Sequence, residues 1–192
     1  SATGMNAHPA PALSLPLLLV ALASCATPEK QPPPPPEPVL YEWHGDALTG
    51  PARIVIDLSE QVARIYIGDQ YAGWATVATG KELHWTPTGS FRITEKIVDK
   101  HSSWYGKIVD AEGVTVRADA DIRKHSVPPG GEFVHAPMPY WMRLTNWGIG
   151  IHAGPIPEPG NRASKGCIRL PKDFAPILFS RVKVGTPVRI VH

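Results

Sequence analysis

The chain has 192 residues, a formal net charge of +2, 19% charged residues and two cysteines. That length allows one domain with a sizeable core. The sparse, balanced charge excludes the concentrated basic stripe of a nucleic-acid-binding protein. Seven of the 22 prolines crowd into Thr27–Pro38, so their excess belongs to a linker rather than to the fold.

Leu13–Leu22 reads LSLPLLLVAL and is followed by Ala23-Ser24-Cys25. This run is too short for a bilayer span, which takes about 20 apolar residues. It has the form of a secretory signal core, with small residues before the cut. Leu22-Ala23-Ser24-Cys25 also resembles the bacterial lipobox, whose cysteine becomes the lipidated first residue of the mature protein. The apolar run departs from the usual signal in having no Lys or Arg before it. Residues 1–24 are therefore expected to be a lipoprotein signal. Residues 25–42 should hold the lipid-attachment Cys25 and a polyproline tether, extended and without a core of its own.

The folded domain is expected over residues 43–192. Period-two alternation and turn residues predict a β-meander with strands at Arg53–Leu58, Val62–Ile67 and Tyr71–Thr79. Thr86-Pro87-Thr88-Gly89 is a turn, and Phe91–Thr94 resumes as a strand. Further strands are predicted at Phe133–Ala136, Trp141–Thr145, Gly150–His152 and Val188–Val191. One helix is predicted over Lys172–Val182, following Pro171 and burying Phe174, Ile177, Leu178 and Val182 at helical spacing. Many strands, one late helix and no βαβ rhythm indicate a mainly β, sandwich-like domain.

Cys167 is the only cysteine beyond the leader. An exported domain cannot use a lone thiol for an internal disulfide. In Ser164-Lys165-Gly166-Cys167-Ile168-Arg169-Leu170 it is a candidate nucleophile. The attacking species is the thiolate, and a free thiol has a pKa of about 8.5. His152, fifteen positions earlier, could take the proton and return it to a leaving amine. The intervening segment, with Pro155, Pro157, Pro159 and Gly160, can turn and bring the two together. Gly166 leaves room for a substrate backbone. The N–H groups of Lys165, Gly166 and Cys167 could face a developing oxyanion. Taken singly, each residue also has a structural reading: Cys167 as a small core residue, Ser164 as a turn former, Arg169 as half of an ion pair. Zinc held by Cys167, His152 and His135 has suitable ligand types, but no C-x-x-C or H-x-x-x-H pair accompanies them.

Ile151-His152-Ala153-Gly154 followed by Ala163-Ser164-Lys165-Gly166-Cys167-Ile168-Arg169-Leu170 resembles the signature of the L,D-transpeptidase catalytic domain, the YkuD type. Thr86-Pro87-Thr88-Gly89-Ser90-Phe91, the Tyr140–Arg143 stretch, Asp173 and Val184-Gly185-Thr186-Pro187-Val188 match further segments of that family. The resemblance covers roughly residues 50 to 192. It implies a β-sandwich-like fold and no metal or organic cofactor. It also implies attack of Cys167 on the bond between a diamino acid and D-alanine in a peptidoglycan tetrapeptide stem. D-alanine would leave, and an amine of a second stem would resolve the thioester. His152 would be the general base and acid. Ser164, Lys165, Gly166, Arg169 and Gly154 would shape the site, and His135 and Tyr140 are weaker candidates for substrate contact. Two departures stand out: His152-Ala153-Gly154 replaces a direct His-Gly pair, and Lys165 sits where a histidine or another polar residue is common. The charge of Lys165 is expected to lower the thiol pKa.

Two rival readings remain. Water could resolve the thioester, giving an L,D-carboxypeptidase or endopeptidase. A non-catalytic wall-binding lipoprotein would need neither Cys167 nor His152. A papain-like protease would place its cysteine before its histidine, the reverse of the order here. The expected setting is the bacterial periplasm. There a monomer would be lipid-anchored to the outer membrane, because Ala26 lacks the aspartate associated with inner-membrane retention.

Overall fold

Strand β2 (Ala52–Asp57) alternates strictly between buried and half-buried side chains, as does β3 (Val62–Ile67). Isoleucines 54, 56, 65 and 67 face one core and are at most 2% exposed. The computed structural model describes residues 36–192. The leader, Cys25 and most of the tether lie outside the described residues.

Strands β1 (Tyr41–Trp43), β4 (Gln70–Thr76), β5 (Gly89–Arg92) and β13 (Pro187–Val191) join β2 and β3 in a six-stranded sheet of order β1-β4-β3-β2-β13-β5. The meander is the expected one. The sheet begins at Tyr41, ahead of the boundary expected at residue 43, because β1 pairs antiparallel with β4. The C-terminal strand β13 lies parallel to β2 and antiparallel to β5.

A four-stranded sheet, order β12-β11-β10-β6, comprises β6 (Glu95–Ile97), β10 (Trp141–Arg143), β11 (Gly150–Ala153) and β12 (Ile168–Leu170). It shares one apolar core with the six-stranded sheet and the helix, including Met142, Ile151, Ile168 and Leu170. The mainly β, sandwich-like expectation holds.

Helix α1 runs Phe174–Arg181, shorter at both ends than Lys172–Val182. Pro176 explains the late start. It has no N–H to give the carbonyl of Lys172, so it can occupy only the first turn. Phe174 is fully buried and packs on the rings of Tyr41 and Trp43, with centroids 5.1 and 6.0 Å away. At the C-terminal end, Lys96 Nζ donates to the carbonyls of Phe179 and Val182, both at 2.6 Å. An ammonium there satisfies orphan carbonyls and complements the helix dipole.

Between β6 and β10 the chain builds a three-stranded sheet, order β8-β7-β9, from β7 (His101–Val109), β8 (Thr115–Asp121) and β9 (Glu132–Pro137). Only β9 was expected. Thr115–Ala118 and Asp119 of β8 are exposed, so no hydrophobic face marks this strand in the sequence. Its turn does carry a signal: Asp110 Oδ1 accepts the N–H groups of Glu112 and Val114, and Gly113 takes φ of 81°.

Truncating Phe174 to Ala should cost about 3–5 kcal/mol, the usual range for a buried aromatic. Urea denaturation would measure it as a lowered midpoint at unchanged slope.

Candidate active site

The site is built on the parallel pairing of β11 with β12, in which Ile151 faces Ile168 and His152 faces Arg169. Continued by one residue, that register sets Cys167 beside Gly150. Paired residues project to the same sheet face, as do residues two apart. His152, Arg169 and Cys167 therefore share one face, with His152 diagonal to the thiol. Gly150 contributes no side chain between them; a Cβ there would strike the Trp141 ring at 2.5 Å.

The His152 ring is buried and lies 6.2 Å from the Trp141 ring. Its Nδ1 is 2.8 Å from the Ala153 carbonyl oxygen. A carbonyl only accepts, so Nδ1 carries the proton and Nε2 is left as the base. Ala153, the residue that separates His152 from Gly154, thus supplies the orienting carbonyl. Gly154 has a different task. A Cβ there would sit 3.0 Å from Cγ and Cδ of Arg169, so the absent side chain makes room for the arginine stem.

Burial lowers the pKa of His152 to about 4, and the Arg169 charge pushes the same way against the Ala153 hydrogen bond. Burial also raises the Cys167 thiol, opposed by the Gly150 N–H and by Arg169. The resting pair is therefore neutral thiol and neutral imidazole. The half-buried Cys167 points its Sγ at the Gly148 carbonyl, 3.6 Å away. The pKa of Arg169 is lowered by burial. Its Nη1 reaches the Pro155 carbonyl at 3.4 Å, and no carboxylate among the described residues pairs with it. Of its two expected roles, the structural ion pair is absent there.

The loop before Cys167 is held by a frame of buried polar groups. Ser164 is 1% exposed; its hydroxyl donates to the Cys167 carbonyl at 2.5 Å and accepts the Gly166 N–H at 3.1 Å. Gly166 takes φ of 106°, a left-handed conformation that glycine adopts without strain. A Cβ on it would also meet Ile149 at 2.8 Å. Thr86 Oγ1 donates to the Gly166 carbonyl at 2.8 Å and accepts the Gly80 N–H at 2.9 Å. Behind them Gln61 binds Thr79, whose carbonyl accepts the N–H groups of Ala163 and Ser164. In the sequence Thr86 reads as part of a turn and Thr79 as the end of a strand, with no sign that either, or Gln61, supports the site. For Thr86 the signal was present in the TPTG segment; for the other two only burial reveals them.

Two expectations change. The Gly166 N–H is committed to Ser164 and is not an oxyanion donor. Lys165 does not act on the thiol: its ammonium pairs with Asp119 of β8 and lies 4.3 Å from the Tyr105 ring centroid, and the cation acting on Cys167 is Arg169. His135, the weaker candidate for substrate contact, binds the Ser102 carbonyl through Nδ1 at 2.7 Å and packs on Phe133. Among the described residues, no three His, Cys, Asp or Glu side chains gather in a metal-binding group. Tyr140, at φ of 58°, packs on Phe179 of α1, centroids 5.6 Å apart.

The acid limb of acylation should lie near pH 4, where His152 takes up a proton and ceases to be a base. A kcat/KM–pH profile measures it; a limb near 6.5 would mean a solvated ring. The unfolded ring protonates near 6.5, above the folded value, so fold stability should also decline as pH falls from 6.5 to 4. Iodoacetamide alkylation of Cys167 should titrate above the usual thiol value of about 8.5, with no acid shoulder. Lys165→Gln should leave that titration in place; a raised midpoint would restore the electrostatic role for Lys165.

The profile of the YkuD family, the L,D-transpeptidase catalytic domain, matches residues 51–190. A Bacillus licheniformis protein named as an L,D-transpeptidase YkuD is 29% identical over 143 residues, covering 74% of this chain and 67% of that protein. Among solved structures, an Enterococcus faecium L,D-transpeptidase in a Cys-to-Ser variant superposes with a TM-score of 0.53 at 26% identity. The match covers 74% of this chain and 50% of that one. An L,D-transpeptidase designated LdtMt1, in complex with imipenem, gives a TM-score of 0.55 at 23% identity over 73% of this chain and 58% of the other. The chain thus spans little more than half the length of these solved relatives. Over the segment that carries Cys167, His152 and the frame behind them, this chain belongs to the YkuD family of L,D-transpeptidase catalytic domains.

Proposed function

We propose that this protein is a peptidoglycan L,D-transpeptidase. The observation that carries the reading is the placement of His152, its Nε2 free as a base, on the same sheet face as the single thiol of the domain. The Cys167 proton passes to His152 Nε2 as Sγ attacks the carbonyl joining a diamino acid to D-alanine in a tetrapeptide stem. His152 returns the proton to the leaving amine, D-alanine departs, and an acyl thioester remains. An amine of a second stem attacks the thioester, gives its proton to His152, and the thiol is restored. Because the resting pair is neutral, proton removal is coupled to attack rather than completed beforehand. The Arg169 guanidinium, without a carboxylate partner among the described residues, suits a stem carboxylate.

The leader sequence extends the proposal. Residues 1–24 act as an export signal, Cys25 receives lipid, and the polyproline tether carries a monomeric domain from the outer membrane towards the wall. Neither metal nor organic cofactor enters the proposed chemistry.

The test is intact-protein mass spectrometry with tetrapeptide stems and, separately, with imipenem. The expected result is a covalent adduct on the unaltered protein and none on Cys167→Ala. A cross-linked dimer among the stem products marks transfer, and free tripeptide marks hydrolysis. A folded protein with a titratable thiol that forms no adduct with either reagent would overturn the proposal in favour of a wall-binding lipoprotein.

A further inference from the structure

We propose that Thr86 is a positioning residue for acylation, orienting the Gly166–Cys167 peptide so that the Cys167 N–H becomes the oxyanion donor. The inference rests on the acyl-transfer reading above and assigns a part to a residue on another segment of the chain.

The geometry begins with the planar peptide unit. In a trans peptide the carbonyl of one residue and the N–H of the next point in opposite directions. Whatever grips the Gly166 oxygen therefore aims the Cys167 N–H the other way. Thr86 provides that grip at 2.8 Å. Its hydroxyl has one proton, spent on Gly166, and it accepts the Gly80 N–H at 2.9 Å. With the side chain 3% exposed, water has little access to compete for these bonds. Gly80 is itself bridged to Ser164, and the Lys81 N–H donates to the Ser164 carbonyl at 3.1 Å. Thr86 is thus joined to both ends of the segment that presents the thiol.

Two backbone groups flanking the Cys167 N–H are committed elsewhere. The Gly166 N–H goes to Ser164 Oγ, and the Cys167 carbonyl accepts from the same hydroxyl. Among the described residues the Cys167 N–H makes no hydrogen bond. A backbone donor left free beside a nucleophile, within a frame that fixes its direction, fits charge that develops on a carbonyl oxygen under attack by the adjacent sulfur. The φ of 106° at Gly166 is what lets one residue give its N–H to Ser164 and its carbonyl to Thr86.

The test compares two reactions of the same thiol in the full chain. Imipenem acylation develops an oxyanion; iodoacetamide alkylation is a displacement at carbon and develops none. Thr86→Val keeps the side-chain shape and removes the hydroxyl. It should slow imipenem acylation about 10- to 100-fold while leaving alkylation within about twofold, and Thr86→Ser should recover most of the loss. Equal rates in Thr86→Val and the unaltered protein would overturn the proposal. So would a parallel loss in both reactions, which would make Thr86 a support for the thiol's surroundings in general. If Thr86→Val does not fold, as judged by its thermal transition, Thr86→Ala is read against the same outcomes. Failure of the unaltered protein to acylate would count against the transpeptidase reading itself, a result distinct from any of these.

Discussion

The parallel pairing of β11 with β12 is the constraint on which the site depends. Fifteen positions separate His152 from Cys167 in sequence, and the ladder brings them to one sheet face as diagonal neighbours. Parallel strands cannot be joined by a tight hairpin, so the proline-rich segment from Gly154 to Gly166 makes the crossover without a helix. Around this pair the sheet supplies each further element of chemistry. The register puts Arg169 opposite His152, Gly150 makes room beside the sulfur for the Trp141 ring, and Ala153 turns its carbonyl back to fix the imidazole tautomer.

The electrostatics follow from burial rather than from ion pairing. A desolvated imidazole and a desolvated thiol both resist charge, and among the described residues the cation acting on them, Arg169, favours the thiolate while opposing an imidazolium. These effects leave a neutral pair, held in geometry for transfer but not pre-ionised. The arrangement suits the proposed acyl transfer, in which proton removal is coupled to attack on a carbonyl. It also limits stray oxidation and alkylation of the thiol, which proceed through the thiolate.

The polar frame behind the loop shows how a glycine-rich segment can be rigid. Gly166 alone would be permissive, but its N–H is fixed by Ser164 and its carbonyl by Thr86. These anchors rest in turn on Gly80, Thr79 and Gln61 in the buried interior. The three-stranded sheet between β6 and β10 meets the same loop through Lys165, which pairs with Asp119 and lies over Tyr105. Lys165 thereby joins that sheet to the catalytic loop instead of tuning the sulfur.

By itself the sequence determined the family, the meander, and the candidate nucleophile and base, because each leaves a local trace: a lone cysteine in a motif, a histidine before a turning loop, side chains alternating at period two. It located the helix but misplaced its ends, since Pro176 limits the start in a way that apolar spacing does not register. It missed β7 and β8, whose largely exposed faces carry little hydrophobic pattern to read. The tertiary structure alone decided the roles of Thr86, Gln61 and Thr79, the partner of Lys165, and the neutral state of the catalytic pair. All of these depend on burial and on contacts between residues distant along the chain. A charge next to a thiol in sequence says nothing of where its side chain finds a carboxylate, and the cost of ionising a buried group is set only once the surrounding sheets have closed over it.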